Sequence, residues 1–266
     1  MAKEHISVQV PCTGSINPWL TSMLTTLKGL NGEPSCPYHF SVGIVSHIFP
    51  ADYARNVIVK QMLETDASRL WFIDSDVKPS DNCIQILKWS GDIVAGIYPM
   101  WGQLHRDKPE PPSVHWCVYE RKDDTFVPQE VLESGVVDCG AAGTGMMVIR
   151  RQVLEDERMR YPSDYIGLGG KAMTLHEDAP PALFKEIHAP NGRFDSTEDI
   201  DFCFRAADLG YSIKADHGVK CGHLKVVDVK EIASYSVDCV GYGFRRGVLS
   251  AEAQSKKEDR RLVIAS

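Results

Sequence analysis

The sequence predicts an α/β fold: a mainly parallel central sheet flanked by helices, with a hairpin insertion and a C-terminal extension. Three observations predict it. Short apolar runs alternate with stretches of helical period as far as Pro99, the pattern of right-handed strand–helix–strand crossovers. One run, Leu70 to Ile73, opens directly into Asp74-Ser75-Asp76, where a strand of such a sheet presents its carboxyl end to ligands. Beyond Pro99 the rhythm changes to turn-rich, extended sequence before a helix returns near Ser196.

In chain order, Ile6 to Cys12 reads as the first strand, ending in the turn-forming cluster Pro11-Cys12-Thr13-Gly14. A helix fits Asn17 to Lys28, with Pro18 at the first helical position, where a missing N–H costs nothing. His39 to Ser46 is the second strand. Asp52 to Thr65 carries Ala54, Val57, Ile58 and Met62 at helical spacing, with Arg55 and Asn56 on the first turn. Leu70 to Ile73 is the third strand, short and rich in aromatic and β-branched residues, as buried strands are. Ser80 is placed to cap a short helix reaching Trp89, and Ile93 to Pro99 returns as a strand.

Residues 100–135 hold PEPP, HWCVYE and a charged turn, and read as a hairpin insertion. Val136 to Arg151 is a glycine-rich approach to a strand. Residues 162–193, dense in Gly, Pro and charge, read as a long loop of the kind that serves as a lid. Ser196 to Leu209 is a helix stopped by Gly210, with Ile200, Cys203, Phe204 and Ala207 as its apolar face; Tyr211 to Ala215 is a strand. These readings give a main domain over 1–225 and an extension over 226–266.

At 266 residues the chain can bury a full core. Its 29 Lys and Arg against 36 Asp and Glu leave a net charge of −7, which argues against retention on nucleic acid or anionic lipid by overall field. No apolar run approaches the ~18 residues of a membrane span, and the N-terminus lacks a signal-peptide apolar core. The eight cysteines are dispersed without a CxxC pair, which predicts reduced thiols and a cytoplasmic compartment.

Two carboxylates one residue apart repel unless something intervenes. Asp74 and Asp76 suit a hard divalent cation, Mg²⁺ or Mn²⁺, which prefers carboxylate oxygen and bridges to phosphates; an Asx-turn is the structural alternative. In FDSTEDIDFCFRAADLGY, Ser196 and Asp199 match a helix-capping pattern. Glu198, Asp199 and Asp201 are nevertheless more acid than a cap requires. Asp199 then lies at the open end of the helix, where a general base would have access to substrate. His223, after a strand and a short loop, is a further candidate metal ligand, with an ordinary polar histidine as the alternative. GAAGTG, Gly140 to Gly145, lacks the Lys-Ser/Thr of a phosphate loop; Gly143 and Gly145, bracketing Thr144, instead allow close backbone approach to a ligand or to the acidic helix. Tyr98 and Trp101, at a strand end, are candidates for a sugar-stacking platform on the acceptor side, with core packing as the alternative.

Taken in order, the Ala-Arg-Asn helix, FIDSD, VAGIYP, GTGMMVIRR, STEDIDFCFRAADLGY and CGH resemble the glycosyltransferase family 2 type of GT-A fold, over roughly residues 6–225. The resemblance implies a nucleotide-sugar donor. Pro11, Cys12 and Thr13 would cradle the nucleotide base, Arg55 would lie near it, and Asp74, Ser75, Gly143 and Thr144 would line the donor site. Asp76 and His223, with Asp74, would hold Mn²⁺ or Mg²⁺. Glu198 and Asp199 match the family's acidic pair, with Asp199 as catalytic base. The QxxRW motif and membrane helices of processive synthases are missing from this sequence, so a soluble enzyme adding one sugar, with inversion, is expected. A nucleotidyltransferase on the same scaffold and a non-catalytic nucleotide-sugar-binding module are the alternatives. The acceptor stays open among small molecules, glycans, proteins and modified nucleic acid, and so does oligomerisation. Arg245, Arg246, Lys256, Lys257, Arg260 and Arg261 make the tail locally basic, which keeps a phosphate-bearing acceptor in view.

Overall fold

The computed structural model describes residues 2–12, 14–48, 50–102, 113–122, 125–161, 164–166, 172–174, 180–188, 194–224, 236–240 and 243–247. The chain packs as two compact units, residues 1–99 with 116–224, and residues 100–115 with 225–266.

In the larger unit β1 (Glu4–Cys12), α1 (Pro18–Leu30), β2 (Tyr38–Ser46), α2 (Ala51–Leu63) and β3 (Arg69–Ile73) fall within a residue or two of the bounds that the hydrophobic pattern predicts. A two-residue strand, β4 (Val77–Lys78), and a 3-10 helix, Cys83–Lys88, lead to β5 (Ile93–Ile97). β6 (Pro99–Gly102) and β7 (Ser113–Trp116), which pair with each other, fall mostly in the smaller unit, and the larger one resumes with β8 (Val118–Lys122) and β9 (Thr125–Pro128), an antiparallel hairpin. Then follow β10 (Val136–Asp138), β11 (Ala141–Ala142), β12 (Met146–Arg150) and the short α3 (Arg151–Glu155). Within the predicted lid, β13 (Asp164–Ile166) pairs with β14 (Ala172–Thr174), and β15 (Ile187–His188) pairs with β16 (Phe194–Ser196) just beyond it. Residues 180–186 are also described, with Ala182, Leu183 and Phe184 buried; the other residues of that loop lie outside the described residues. Last in this unit are α4 (Glu198–Asp208), β17 (Ile213–Lys220) and β18 (Gly222–His223). In the smaller unit the extension contributes one hairpin, β19 (Ser236–Val240) with β20 (Gly243–Gly247). The basic residues at 256–261 are outside the described residues.

The central sheet has seven strands in the order β10-β17-β5-β12-β3-β1-β2. Five of them (β1, β2, β3, β5 and β17) run the same way, and β10 and β12 run against them. This is the α/β architecture the sequence predicts, a mostly parallel sheet flanked by helices. The step from β1 through α1 to β2 moves outward, whereas β2 through α2 to β3 returns across β1. With right-handed crossovers the two helices land on opposite faces.

Both faces of β3 are therefore covered, which explains why Leu70, Trp71, Phe72 and Ile73 are all fully buried. On one face Ile58, Val59 and Met62 of α2 share a core with Phe72, Phe184, Phe202 and Cys203. Phe184 stacks on Phe202 with centroids 4.4 Å apart and meets Phe72 edge-on at 5.6 Å. Burying each such ring is worth about 1.5–3 kcal/mol. Among the described residues no helix is long and apolar enough to cross a membrane, and Cys12, Cys36, Cys83, Cys117, Cys139, Cys203 and Cys221 are thiols.

Four local predictions are corrected. Asn82, not Ser80, precedes the 3-10 helix, and it makes no side-chain cap; the Ser80 hydroxyl accepts from the Cys221 thiol instead. Thr197 occupies the cap position of α4 without a side-chain bond, because Ser196 Oγ donates to the Thr197 carbonyl and Asp199 accepts from Ile200 N–H. The buried face of α4 is Phe202, Cys203 and Ala206, turned from the predicted one. Phe204 lies outside it, between the Arg121 guanidinium (4.0 Å) and Phe126. The strand expected over Tyr211–Ala215 starts two residues later and runs on to Lys220.

Candidate functional site

Between β1 and β3 the winding changes direction: one crossover runs from β1 out to β2, and the next returns from β2 across β1 to β3. A sheet of this kind opens a crevice there, beyond the strands' carboxyl ends. Cys12 ends one of those strands and Ile73 the other, so Asp74 enters the crevice as it leaves the core.

Asp74 is met at once by Arg55. From the first turns of α2, the guanidinium donates Nη1 to Asp74 Oδ1 (3.0 Å) and Nη2 to Oδ2 (3.2 Å), a two-pronged carboxylate fork. Its Nε donates to Glu198 Oε1 at the start of α4 (3.1 Å). Arg55 is thus a buried cation, 5.5 Å from the Phe72 ring centroid, joining a strand end to two helices. Burial by itself would lower its pKa, but Asp74 and Glu198 outweigh that and raise it. Burial raises the pKa of Glu198, Arg55 pulls it back, and the neighbouring Asp199 charge pushes it up again. One arginine cannot fully neutralise three carboxylates.

Asp76 faces elsewhere. Its Oδ2 lies 3.1 Å from His223 Nε2, while His223 Nδ1 is 2.9 Å from the Pro99 carbonyl. A carbonyl only accepts, so Nδ1 carries the proton and Nε2 turns toward the carboxylate. An imidazole fixed in this way is the usual support for a metal-binding histidine. His223 is nearly buried, whereas the Asp76 side chain is 40% exposed, which makes Asp76 the solvent-facing member. The two are brought together by the pairing of β18 with β4, His223 opposite Val77, and by Leu224 N–H donating to the Asp76 carbonyl (2.8 Å). Among the described residues no third His, Cys, Asp or Glu joins them. The Asp76 carboxylate suits a hard divalent ion such as Mn²⁺ or Mg²⁺, with the imidazole nitrogen a better donor to Mn²⁺; substrate phosphates and water commonly fill the other positions of such ions.

Tyr98 forms the wall behind both groups. It is 4% exposed, its ring meets His223 edge-on at 5.1 Å, and its oxygen accepts from Gly145 N–H (3.2 Å). So buried a ring supports the site from within and offers no stacking face. A Cβ on Gly143 would collide with the Tyr98 hydroxyl and lie 2.5 Å from Cys117 Sγ. The glycine-rich stretch therefore serves close packing against Tyr98. Gly145 also accepts from Asp74 N–H (3.1 Å), tying the wall to the strand end. Burial pushes the Cys117 thiol up to about 12, with Asp199 adding to the effect. Burial and then Cys117 raise Tyr98 and Tyr119, with the Asp199 charge adding to both; Asp199 itself is the second residue of α4 and accepts from Ile200 N–H.

The remaining candidates are more dispersed. Pro11 and Cys12 end β1, with the Cys12 thiol donating to the Gly14 carbonyl (3.1 Å). The Thr144 hydroxyl is buried without a partner among the described residues. Thr13 and the side chain of Trp101 lie outside the described residues. Ser75 contributes its carbonyl: Asn17 Nδ2 donates to Ser75 O (2.9 Å) and Val77 O (2.8 Å) while its Oδ1 caps Leu20 N–H (2.8 Å). One side chain thus fastens α1 to the Asp76 turn. Asn56 does the same for the far side, accepting from Leu183 and Phe184 N–H (2.9 Å each) and donating to Phe184 O (2.8 Å). Neither fastening role was legible from spacing, although an Asn before Pro18 is a visible cap signal.

No protein-family model and no curated protein matches the chain. Among solved structures, A197 from STIV is similar over 84% of this chain and 86% of that one, at 18% identity and a TM-score of 0.47. GalNAc-T7, crystallised with UDP, GalNAc and Mn²⁺, is similar over 88% of this chain at 11% identity and a TM-score of 0.42. TarS 1-349 of S. aureus, in complex with UDP-GlcNAc, is similar over 88% of this chain at 13% identity and a TM-score of 0.39. The chain spans 48% of the GalNAc-T7 chain and 62% of the TarS chain.

Proposed function

We propose that this protein is a metal-dependent glycosyltransferase of the GT-A type, moving one sugar from a UDP-sugar to an acceptor hydroxyl with inversion at the anomeric carbon. The observation that carries the reading is the meeting of Asp76 with His223, residues 147 positions apart, at the rim of the crevice. Asp76 and His223 would hold Mn²⁺ or Mg²⁺, and the chemistry such an ion supplies is neutralisation of the charge that grows on a diphosphate leaving group.

The chain's own groups do the rest. The end of β1, at Pro11 and Cys12, lies beside the crevice where the nucleotide base would rest. Arg55 holds Asp74 and Glu198 in place, so neither is free to drift toward the Asp76–His223 pair. Asp199, on a different element from that pair, would accept the acceptor hydroxyl's proton as the oxygen attacks opposite the departing diphosphate. Leaving-group neutralisation and proton removal then occur on two sides of the transferred sugar, as inversion requires.

The test pairs two variants with product analysis. Asp76→Ala should abolish Mn²⁺-dependent turnover and the thermal shift given by UDP with Mn²⁺. Asp199→Asn should keep that shift and lose transfer by ~10²–10⁴-fold. Released UDP supports transfer of a sugar; released pyrophosphate would mean a nucleotidyltransferase. Full activity in both variants would remove the site assignment altogether.

A further inference from the structure

Two residues beyond Asp76, Lys78 holds its ammonium 4.7 Å from the ring centroid of Trp19. Trp19 is 51% exposed, unusually open for so large an apolar side chain. Among the described residues no carboxylate pairs with Lys78. Arg55 pairs with Asp74 and Glu198, Arg69 with Glu4, and Arg205 with Asp201, whereas Lys78, like Lys185 over the Tyr161 ring, has an aromatic face and no carboxylate among the described residues. In a chain of net charge −7, an unpaired lysine at a site rim is a feature to explain.

The pair is built rigidly. Asn17 binds the start of α1, which carries Trp19, to the carbonyls of Ser75 and Val77 on either side of Asp76. Lys78 lies opposite Gly222 in the β4–β18 ladder. A Cβ there would press on the Lys78 stem at 3.2 Å, so glycine lets the stem lie flat. The indole face attracts one side of the ammonium, worth about 0.5–1 kcal/mol at an exposed position. An ammonium has three N–H donors, and those turned from the ring need an acceptor.

From this geometry we propose that Lys78, held on Trp19, is a phosphate subsite adjoining Asp76. The proposal rests on the transferase reading only for whose phosphate it takes. Asp76 ends the turn that leads into β4, and two residues of chain span at most about 7 Å, so an anion on Lys78 is within reach of a substrate that also touches Asp76. A compact ammonium binds phosphate as a point charge. The phosphate belongs either to the donor's diphosphate or to the acceptor itself.

Tryptophan emission of the full chain, titrated with inorganic phosphate and with glycerol 3-phosphate at constant ionic strength, provides the test. A saturable change is expected in the wild type and should vanish in Trp19→Phe, which removes the reporter. Lys78→Met should weaken binding about tenfold or more, and Lys78→Arg should restore it. Adding UDP with Mn²⁺ first distinguishes the sources. A response that disappears assigns the subsite to the donor, and one that persists assigns it to the acceptor; both support the subsite. The proposal is overturned if Lys78→Met titrates like the wild type, if Trp19→Phe keeps the full change, or if emission follows salt without saturating. Asp76→Ala separates the two claims: UDP–Mn²⁺ binding that survives it, while Lys78→Met abolishes the phosphate response, removes the metal reading and keeps the subsite.

Discussion

Asp74 and Asp76 leave the same strand one residue apart and finish in opposite environments. Asp74 turns inward to a buried guanidinium that it shares with Glu198, and both its oxygens accept from Arg55. Asp76 turns outward, 40% exposed, to a histidine whose other nitrogen is locked on a carbonyl. A D-x-D sequence therefore need not be two equivalent ligands. One carboxylate is paired within the protein, to Arg55, and its neighbour stays available to a ligand.

Removing the cation from the inner half should give the largest effect. Arg55→Ala strands the buried Glu198 and the partly buried Asp74 and should cost about 3–5 kcal/mol in urea unfolding, whereas Asp76→Ala should stay within about 0.5 kcal/mol, as more exposed positions do. Asp74→Asn with Glu198→Gln, placed in the Arg55→Met background, should recover most of the loss. Equal costs for Arg55→Ala and Asp76→Ala would erase the distinction between the two halves.

A smaller effect should come from the wall that backs both. Gly143→Ala drives a methyl group into the Tyr98 hydroxyl and Cys117, and overpacking of this kind costs about 1–3 kcal/mol. Tyr98→Phe removes the oxygen, so the double variant should be more stable than the sum of the single changes predicts. Strict additivity would mean that the glycine is not needed for Tyr98.

The smallest and most diagnostic effect is in pH. Glu198 has a raised folded-state pKa, from burial first, with Arg55 opposing. A carboxyl raised on folding contributes its stability below its unfolded value and loses it as pH rises through the folded one. Glu198→Gln should therefore gain in melting temperature relative to the wild type as pH climbs from 4 toward 8 (~one unfolded carboxyl pKa upward). A difference that stays flat, or shrinks, would show Arg55 to be a sufficient counter-ion for both carboxylates.

How much of this was legible beforehand differs by element. The five leading strands and helices follow from apolar spacing, since period 2 or 3.6 is a property of a few adjacent residues. The meeting of Asp76 and His223 was anticipated from motif order. The role of Arg55 was not, because its partners lie 19 and 143 positions away and nothing local marks a helix arginine as a buried counter-ion. The buried face of α4 was misread for a similar reason: Arg121 shelters Phe204 on the outer side, so an aromatic residue was free to leave the core. For Tyr98 the strand end leaves two readings, a stacking platform or core packing, and glycine packing with His223 closing over the ring selects the core.

By itself the sequence determined the order of strands and helices and delivered an acidic pair to the end of β3, because hydrophobic period and turn chemistry act over a few neighbouring residues. Only the tertiary structure decided which aspartate pairs with Arg55 and which meets the histidine. That choice depends on α2 and α4 crossing one face of the sheet while β18 pairs with β4, contacts between segments whose spacing along the chain carries no record of them.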